Sequence, residues 1–177
     1  MRAHRPDLPY DEDGRLAAAG HVHEGLLTVL LAHPFFTAPL PKTTGPELFS
    51  TRYLTEAQQR SSTTALGLAD TLATLVELSA GGVGRAVRAA FGTRPAPTAV
   101  YISGGGAHNP ALLAALGRHL PSARFATTAA LGVPPDAKEA ILFAVLANEA
   151  VAGQPVALGA GRQRVPAVSL GKISFPG

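Results

Sequence analysis

Three consecutive glycines, Gly104-Gly105-Gly106, follow the apolar, β-prone run Val100-Tyr101-Ile102 and precede Asn109-Pro110. Asn suits a helix N-cap and Pro the first helical position. A strand that ends in glycines and feeds a helix start is a usual α/β ligand site. Glycine lets backbone approach a ligand, and the helix start offers free N–H groups and partial positive charge. The spacing is neither the dinucleotide G-x-G-x-x-G nor a Walker A loop, since no Lys-Ser/Thr follows. A tight turn without a ligand is the competing reading. Glu139 is a second candidate. It shares a stripe with Leu142, Phe143, Leu146 and Ala150 on a helix that is apolar all round. A carboxylate among core-like residues needs a partner or a ligand, unless it lies open to water in a first turn favoured by the helix dipole. A third candidate is the proline-rich segment 33–49, with Lys42, Thr43, Thr44 and Gly45 at its centre. It reads equally as a pre-organised binding loop or as a connection pinned by Phe35, Phe36 and Phe49. Two other clusters fall away. His21 and His23 stand two apart and share no helix face. An EF-hand aligned on Gly14 of Asp11-Glu12-Asp13-Gly14 would need ligands where Pro9 and Gly20 stand.

The elements that must position these residues follow from periodicity and punctuation. Residues 16–31 carry a helical stripe that ends before Pro34. Residues 61–78 predict another helix, Gly81-Gly82 a break, and 83–91 a further helix. The Thr93-Arg94-Pro95-Ala96-Pro97 linker enters a strand over 98–102, followed by a helix over 111–120 and a strand over 122–127. That order predicts a right-handed βαβ unit with a parallel sheet. Pro134-Pro135 opens a last helix to about residue 151. Its apolar circumference predicts burial.

The composition sets bounds. The 177 residues suit one domain or one lobe of a larger enzyme, and 46% of them are hydrophobic. The net charge is +3, but no two basic residues are adjacent and aromatics reach only 6%, so no nucleic-acid footprint is present. No apolar run approaches the ~18 residues of a membrane helix, and the N-terminus lacks a signal-peptide core. There is no cysteine, hence no disulfide or thiolate metal site. These features predict a cytoplasmic protein, with no membrane or nucleic-acid partner.

Four stretches in order resemble the anhydro-N-acetylmuramic acid kinase family. Tyr10-Asp11-Glu12-Asp13-Gly14 with Ala17-Ala18-Ala19-Gly20 is similar to its D-x-x-G…A-x-x-G. Pro39-Leu40-Pro41-Lys42-Thr43-Thr44-Gly45-Pro46-Glu47-Leu48-Phe49 is similar to its P-P-K-S-T-G-R-E-x-F. Gly104-Gly105-Gly106-Ala107-His108-Asn109 matches G-G-G-A-x-N, and residues 139–147 are similar to E-A-x-x-F-A-x-L-A. Leu40 and Pro46 depart from the family's proline and arginine.

The resemblance implies an α/β fold: one lobe of an actin/Hsp70/hexokinase-like (ribonuclease H-like) ATPase with a helix-rich N-terminal part. It also implies conversion of 1,6-anhydro-N-acetylmuramic acid, ATP and water to N-acetylmuramic acid 6-phosphate and ADP in peptidoglycan recycling, with ATP and Mg²⁺ as cofactors. Gly104, Gly105, Gly106 and Asn109 would hold the adenosine end of ATP. Glu139 would contact the sugar or order the residues that do, and Lys42, Thr43, Thr44 and Glu47 would shape an interlobe cleft. The whole chain, 1–177, then reads as a C-terminal lobe. Residues 1–14 are a severed connection, 15–97 a helical part with the proline-rich loop 34–46, 98–153 a βαβα nucleotide-binding part and 154–177 an irregular tail. The family's phosphate loop and catalytic aspartate have no match here, so the expectation is no catalytic residue in this chain, no metal ligand, and no activity in isolation. Expected partners are a second copy or a separate N-terminal half. The alternatives are a non-catalytic nucleotide-binding or assembly module, marked by a large apolar patch on the lobe face, and a truncated remnant.

Overall fold

The computed structural model describes residues 9–91 and 99–153. The 93–97 linker, the 154–177 tail and most of the 1–14 connection lie outside the described residues. Helices α1 (Arg15–Ala19), α2 (Glu24–Leu31), α3 (Thr51–Arg60) and α4 (Leu68–Phe91) precede a two-stranded sheet. In it β1 (Ala99–Ile102) pairs in parallel with β2 (Arg124–Thr127), from Ala99 opposite Arg124 to Ile102 opposite Thr127. Between the strands runs α5 (Pro110–His119), and α6 (Lys138–Ala152) follows. The chain is thus mixed helix and small parallel sheet, within the α/β class.

The predicted helix over 16–31 is two helices. Gly20 is extended at φ −95°, ψ 170°. The His21 amide donates to Asp70 Oδ1 at 2.8 Å and the His23 amide to Thr74 Oγ1 at 2.9 Å. The His23 ring then caps α2, accepting from the Leu26 amide at 3.2 Å. Polar ties to α4 therefore replace about one helical turn, satisfying the backbone groups that the break leaves without helical partners. His21 is exposed and His23 partly buried, and they lie in the break rather than on a helix.

The predicted break at Gly81-Gly82 does not occur: α4 runs unbroken from Leu68 to Phe91. Its start is seven residues later than predicted, after a turn at 61–67. A β-carbon on Gly82 would stand 3.1 Å from the Phe36 ring, and one on Gly84 2.9 Å from the His119 side chain. Glycine here lets neighbours approach the helix closely. That packing outweighs its cost of about 1 kcal/mol within a helix.

α4 joins two apolar clusters. Leu78 packs with Leu26, Leu27, Leu30 and Ala57. Ala80 packs with Ala115 and Leu116, bordered by Ile102 and Phe125 of the strands. One face of the sheet is thereby anchored, while Tyr101 on β1 is exposed.

The burial predicted for α6 is contradicted. No residue of this helix is buried; Phe143 is 66% exposed and Val151 77%. Among the described residues nothing covers its apolar circumference. The carboxylate of Glu139 is likewise exposed rather than set in a core.

Candidate functional site

The in-register pairing brings the carboxyl ends of β1 and β2 out on one edge. Ligands of α/β sheets bind outside that edge. Gly104 leaves β1 at φ 72°, ψ −173°, a conformation only glycine adopts freely, and its amide donates to Pro135 O at 3.0 Å. A 3-10 turn over Gly105–His108 follows. Asn109 Oδ1 accepts from the Leu112 amide at 3.0 Å, so the predicted cap of α5 is formed. A β-carbon at Gly104 or Gly105 would meet nothing within 4 Å. Packing among the described residues therefore does not explain why Gly105 is glycine, and the backbone there faces space that they leave open. Thr128 Oγ1, just past β2, is buried with no hydrogen-bond partner among the described residues.

A further turn, Pro135–Ala137, leads into α6. His108 Nε2 and Asp136 Oδ1 lie 2.9 Å apart. With the Gly104–Pro135 bond, this pair joins the glycine loop to the start of α6. Glu139 lies in the first turn of that helix, four residues beyond Pro135, and does not line the cavity at the glycine loop.

On its other side the glycine loop borders a cavity of about 650 Å³ lined by Tyr10, Asp11, Glu12, Asp13, Gly105, Gly106, His108 and Asn109. This volume lies within the range of small-molecule sites. Asp11 is committed to the backbone: its carboxylate accepts from the Leu16 and Ala17 amides at 2.9 and 3.0 Å. Gly14 holds φ 64°, and a β-carbon there would fall on the Asn109 side chain. The 10–14 turn is thus seated directly on the cap of α5. Sequence reasoning singled out this motif but gave Tyr10, Glu12 and His108 no place in the site. The contact spans about a hundred residues, and only the unusual Asp-Gly punctuation could have signalled it.

Lys42, Thr43 and Thr44 do not line this cavity. Lys42 Nζ donates to Phe35 O at 2.7 Å and Phe36 O at 3.3 Å and sits 4.8 Å from the Phe35 ring centroid. It ties the proline-rich loop to itself, and both threonines are exposed. Phe35 meets Phe36 and Phe49 edge to face, as Phe49 meets Tyr53, with centroids 5.3–5.5 Å apart, and Phe36 lies tilted against Phe49 at 5.7 Å, so the aromatic pins predicted for this loop are present. These rings line a second, apolar cavity of about 730 Å³ against α4. Burial raises the Tyr53 hydroxyl pKa, and that hydroxyl donates to Leu30 O.

The strongest charged cluster is structural. Glu77 on α4 meets Arg118 at 2.8 Å and His119 at 2.6 Å at the end of α5. Burial pushes the Glu77 carboxyl up, but hydrogen bonds from Arg118 and His119, and their charges, prevail and hold it below the ordinary value. Among the described residues no group of three or more His, Cys, Asp or Glu side chains gathers to hold a metal, and no helix is long and apolar enough to cross a membrane.

A parallel strand pair with a crossover helix and a glycine turn at its carboxyl edge defines a protein of the α/β class. The family model for anhydro-N-acetylmuramic acid kinase matches residues 1–176, and the chain belongs to that family. It is 45% identical over 177 residues to the anhydro-N-acetylmuramic acid kinase of Pseudoalteromonas atlantica, covering 99% of this chain and 44% of the relative. The Streptomyces coelicolor kinase of the same name is 43% identical over 165 residues, 93% of this chain and 40% of the relative. That of Burkholderia vietnamiensis is 45% identical over 166 residues, 89% and 42%. The chain spans less than half the length of these curated relatives.

Proposed function

We propose that this chain is the C-terminal, nucleotide-holding lobe of a cytoplasmic kinase of ribonuclease H-like ATPase fold. The reaction it serves converts 1,6-anhydro-N-acetylmuramic acid, ATP and water to N-acetylmuramic acid 6-phosphate and ADP in peptidoglycan recycling. The observation that carries this reading is the triple-glycine turn at the carboxyl edge of the parallel pair, with open space where β-carbons at Gly104 and Gly105 would lie. Gly104, Gly105 and Gly106 let a nucleoside approach the backbone closely, and Asn109 orders that backbone by capping α5. Glu139, in the first turn of α6, would accept a hydrogen bond from a sugar hydroxyl or from a group that orients the sugar. Phosphoryl transfer relies on positioning and on electrostatic stabilisation, and this lobe contributes the positioning. The base that activates water is assigned to residues outside this chain. Mg²⁺ accompanies ATP by family, but no cluster for it stands among the described residues and no step is assigned to it.

Lys42, Thr43 and Thr44 serve the sugar side indirectly, by holding the shape of the proline-rich loop. The parts at 15–97 and 98–153 act as one lobe, joined by the packing of α5 on α4.

Calorimetric titration with MgATP tests the reading. Gly105→Val adds a side chain where the fold leaves room, so its melting point should match the parent's while MgATP binding is lost. Equal binding by both proteins refutes the glycine-loop site.

The exposed α6 favours a second reading, an assembly module. A helix that is apolar all round and left uncovered by the described residues is a candidate interaction surface. Its occupant is a separate chain supplying the rest of the relatives' length, or a second copy of this one.

A further inference from the structure

Residues 10–13 carry a motif that the proposed activity leaves without a role. We infer that this turn is the nucleoside-selecting wall of the glycine-loop site, with the Tyr10 ring as the surface on which the base stacks. The inference rests on the reading of that loop as a nucleotide site.

Tyr10 is 63% exposed and lines the same cavity as Gly105, Gly106 and Asn109. An aromatic ring in a cavity that bare backbone also lines offers a stacking surface, and bases stack on such rings whatever their identity. The wall is pre-organised. Asp11, next to Tyr10, is fixed by two backbone amides, and Gly14 is seated on the Asn109 side chain. Tyr10 therefore holds its position relative to the loop before any ligand arrives, which reduces the ordering cost of binding.

Charge decides which end of the nucleotide lies here. Glu12 and Asp13 line the cavity, and Asp13 is paired with Arg15 at 3.0 Å. Carboxylates repel a triphosphate and accept hydrogen bonds from ribose hydroxyls. The base and ribose belong in this cavity, and the phosphates lie away from it.

The test titrates the full chain and its Tyr10→Ala, Tyr10→Phe and Gly105→Val variants with MgATP and with magnesium tripolyphosphate, which has no base. Loss of one stacking contact should weaken MgATP binding by Tyr10→Ala about tenfold. Tyr10→Phe should bind MgATP as the parent does, and tripolyphosphate binding should not respond to either change. Equal MgATP binding by the parent and Tyr10→Ala, with loss in Gly105→Val, overturns the stacking wall and leaves the glycine-loop reading standing. Equal weakening in Tyr10→Ala and Tyr10→Phe also overturns it, because the hydroxyl rather than the ring would be responsible. No MgATP binding by a parent that melts cooperatively overturns both readings.

Discussion

Gly14 and Asn109 should be energetically coupled although 95 positions separate them. Asn109→Ala removes an N-cap, at a cost of about 1 kcal/mol. Gly14→Ala places a β-carbon on a left-handed residue, costing about 1–2 kcal/mol, and drives it onto the Asn109 side chain. Overpacking of that kind adds about 1–3 kcal/mol. If the two changes acted independently, the double variant would lose about 3–6 kcal/mol. Truncating Asn109 removes the atoms that the new methyl strikes, so the double variant should lose only about 2–3 kcal/mol. The coupling to be measured is therefore at least about 1 kcal/mol, well above the ~0.5 kcal/mol within which distant sites add. Urea unfolding of the parent, both single variants and the double variant supplies the four values. On melting, each kcal/mol corresponds to roughly 2–4 °C for a chain of this size. Additive losses would refute the seating of the 10–14 turn on the cap of α5, and with it the pre-organised wall beside the glycine loop.

Glu77→Gln should destabilise the chain at neutral pH by about 2 kcal/mol through weaker hydrogen bonds from Arg118 and His119. Since the folded carboxyl titrates below its ordinary value of 4.5, its contribution is complete above that pH and is lost as pH falls through the depressed value. Urea titrations in acid should show the gap between parent and variant closing, and a gap that persists would remove the charged cluster as its source. Replacing Phe143 by Ser should leave the stability within about 0.5 kcal/mol of the parent and reduce binding of a hydrophobic dye. A drop of several degrees would mean that α6 packs within this chain.

What could be read from sequence was what is encoded locally. The strand–glycine–Asn-Pro–helix series at 98–120 names its own turn chemistry, and the structure follows it to within a residue or two. The four-residue strands were legible from β-prone runs bounded by turn residues. Non-local ties defeated the rest. The helical stripe of 16–31 continues across Gly20 to His23, but Asp70 and Thr74 claim the backbone there. Gly81-Gly82 carries the local signature of a break, and only neighbours brought in from Phe36 and His119 make it a packing surface. α3 has a thin stripe, Tyr53, Leu54 and Ala57, on an otherwise polar segment, and drew no prediction. Lys42 looks like a cation offered to a ligand until the carbonyls of Phe35 and Phe36 are found around its ammonium.

α6 carries the further lesson. Its composition demands an apolar environment, yet the described residues supply none. Periodicity reports what a segment requires and not which surface provides it. The same helix starts at the glycine-loop edge, tied to it through Pro135 and Asp136. A protein surface that covered α6 would therefore press on the element that carries Glu139 and, through those two bonds, on Gly104 and His108. Closure of a partner over this helix would in that geometry also order the proposed nucleotide site. Titrating MgATP with and without a chain that supplies the rest of the relatives' length would measure it. Tighter nucleotide binding in the presence of that chain, abolished by Phe143→Ser, is the result this coupling requires, and affinity unchanged by a bound partner would refute it.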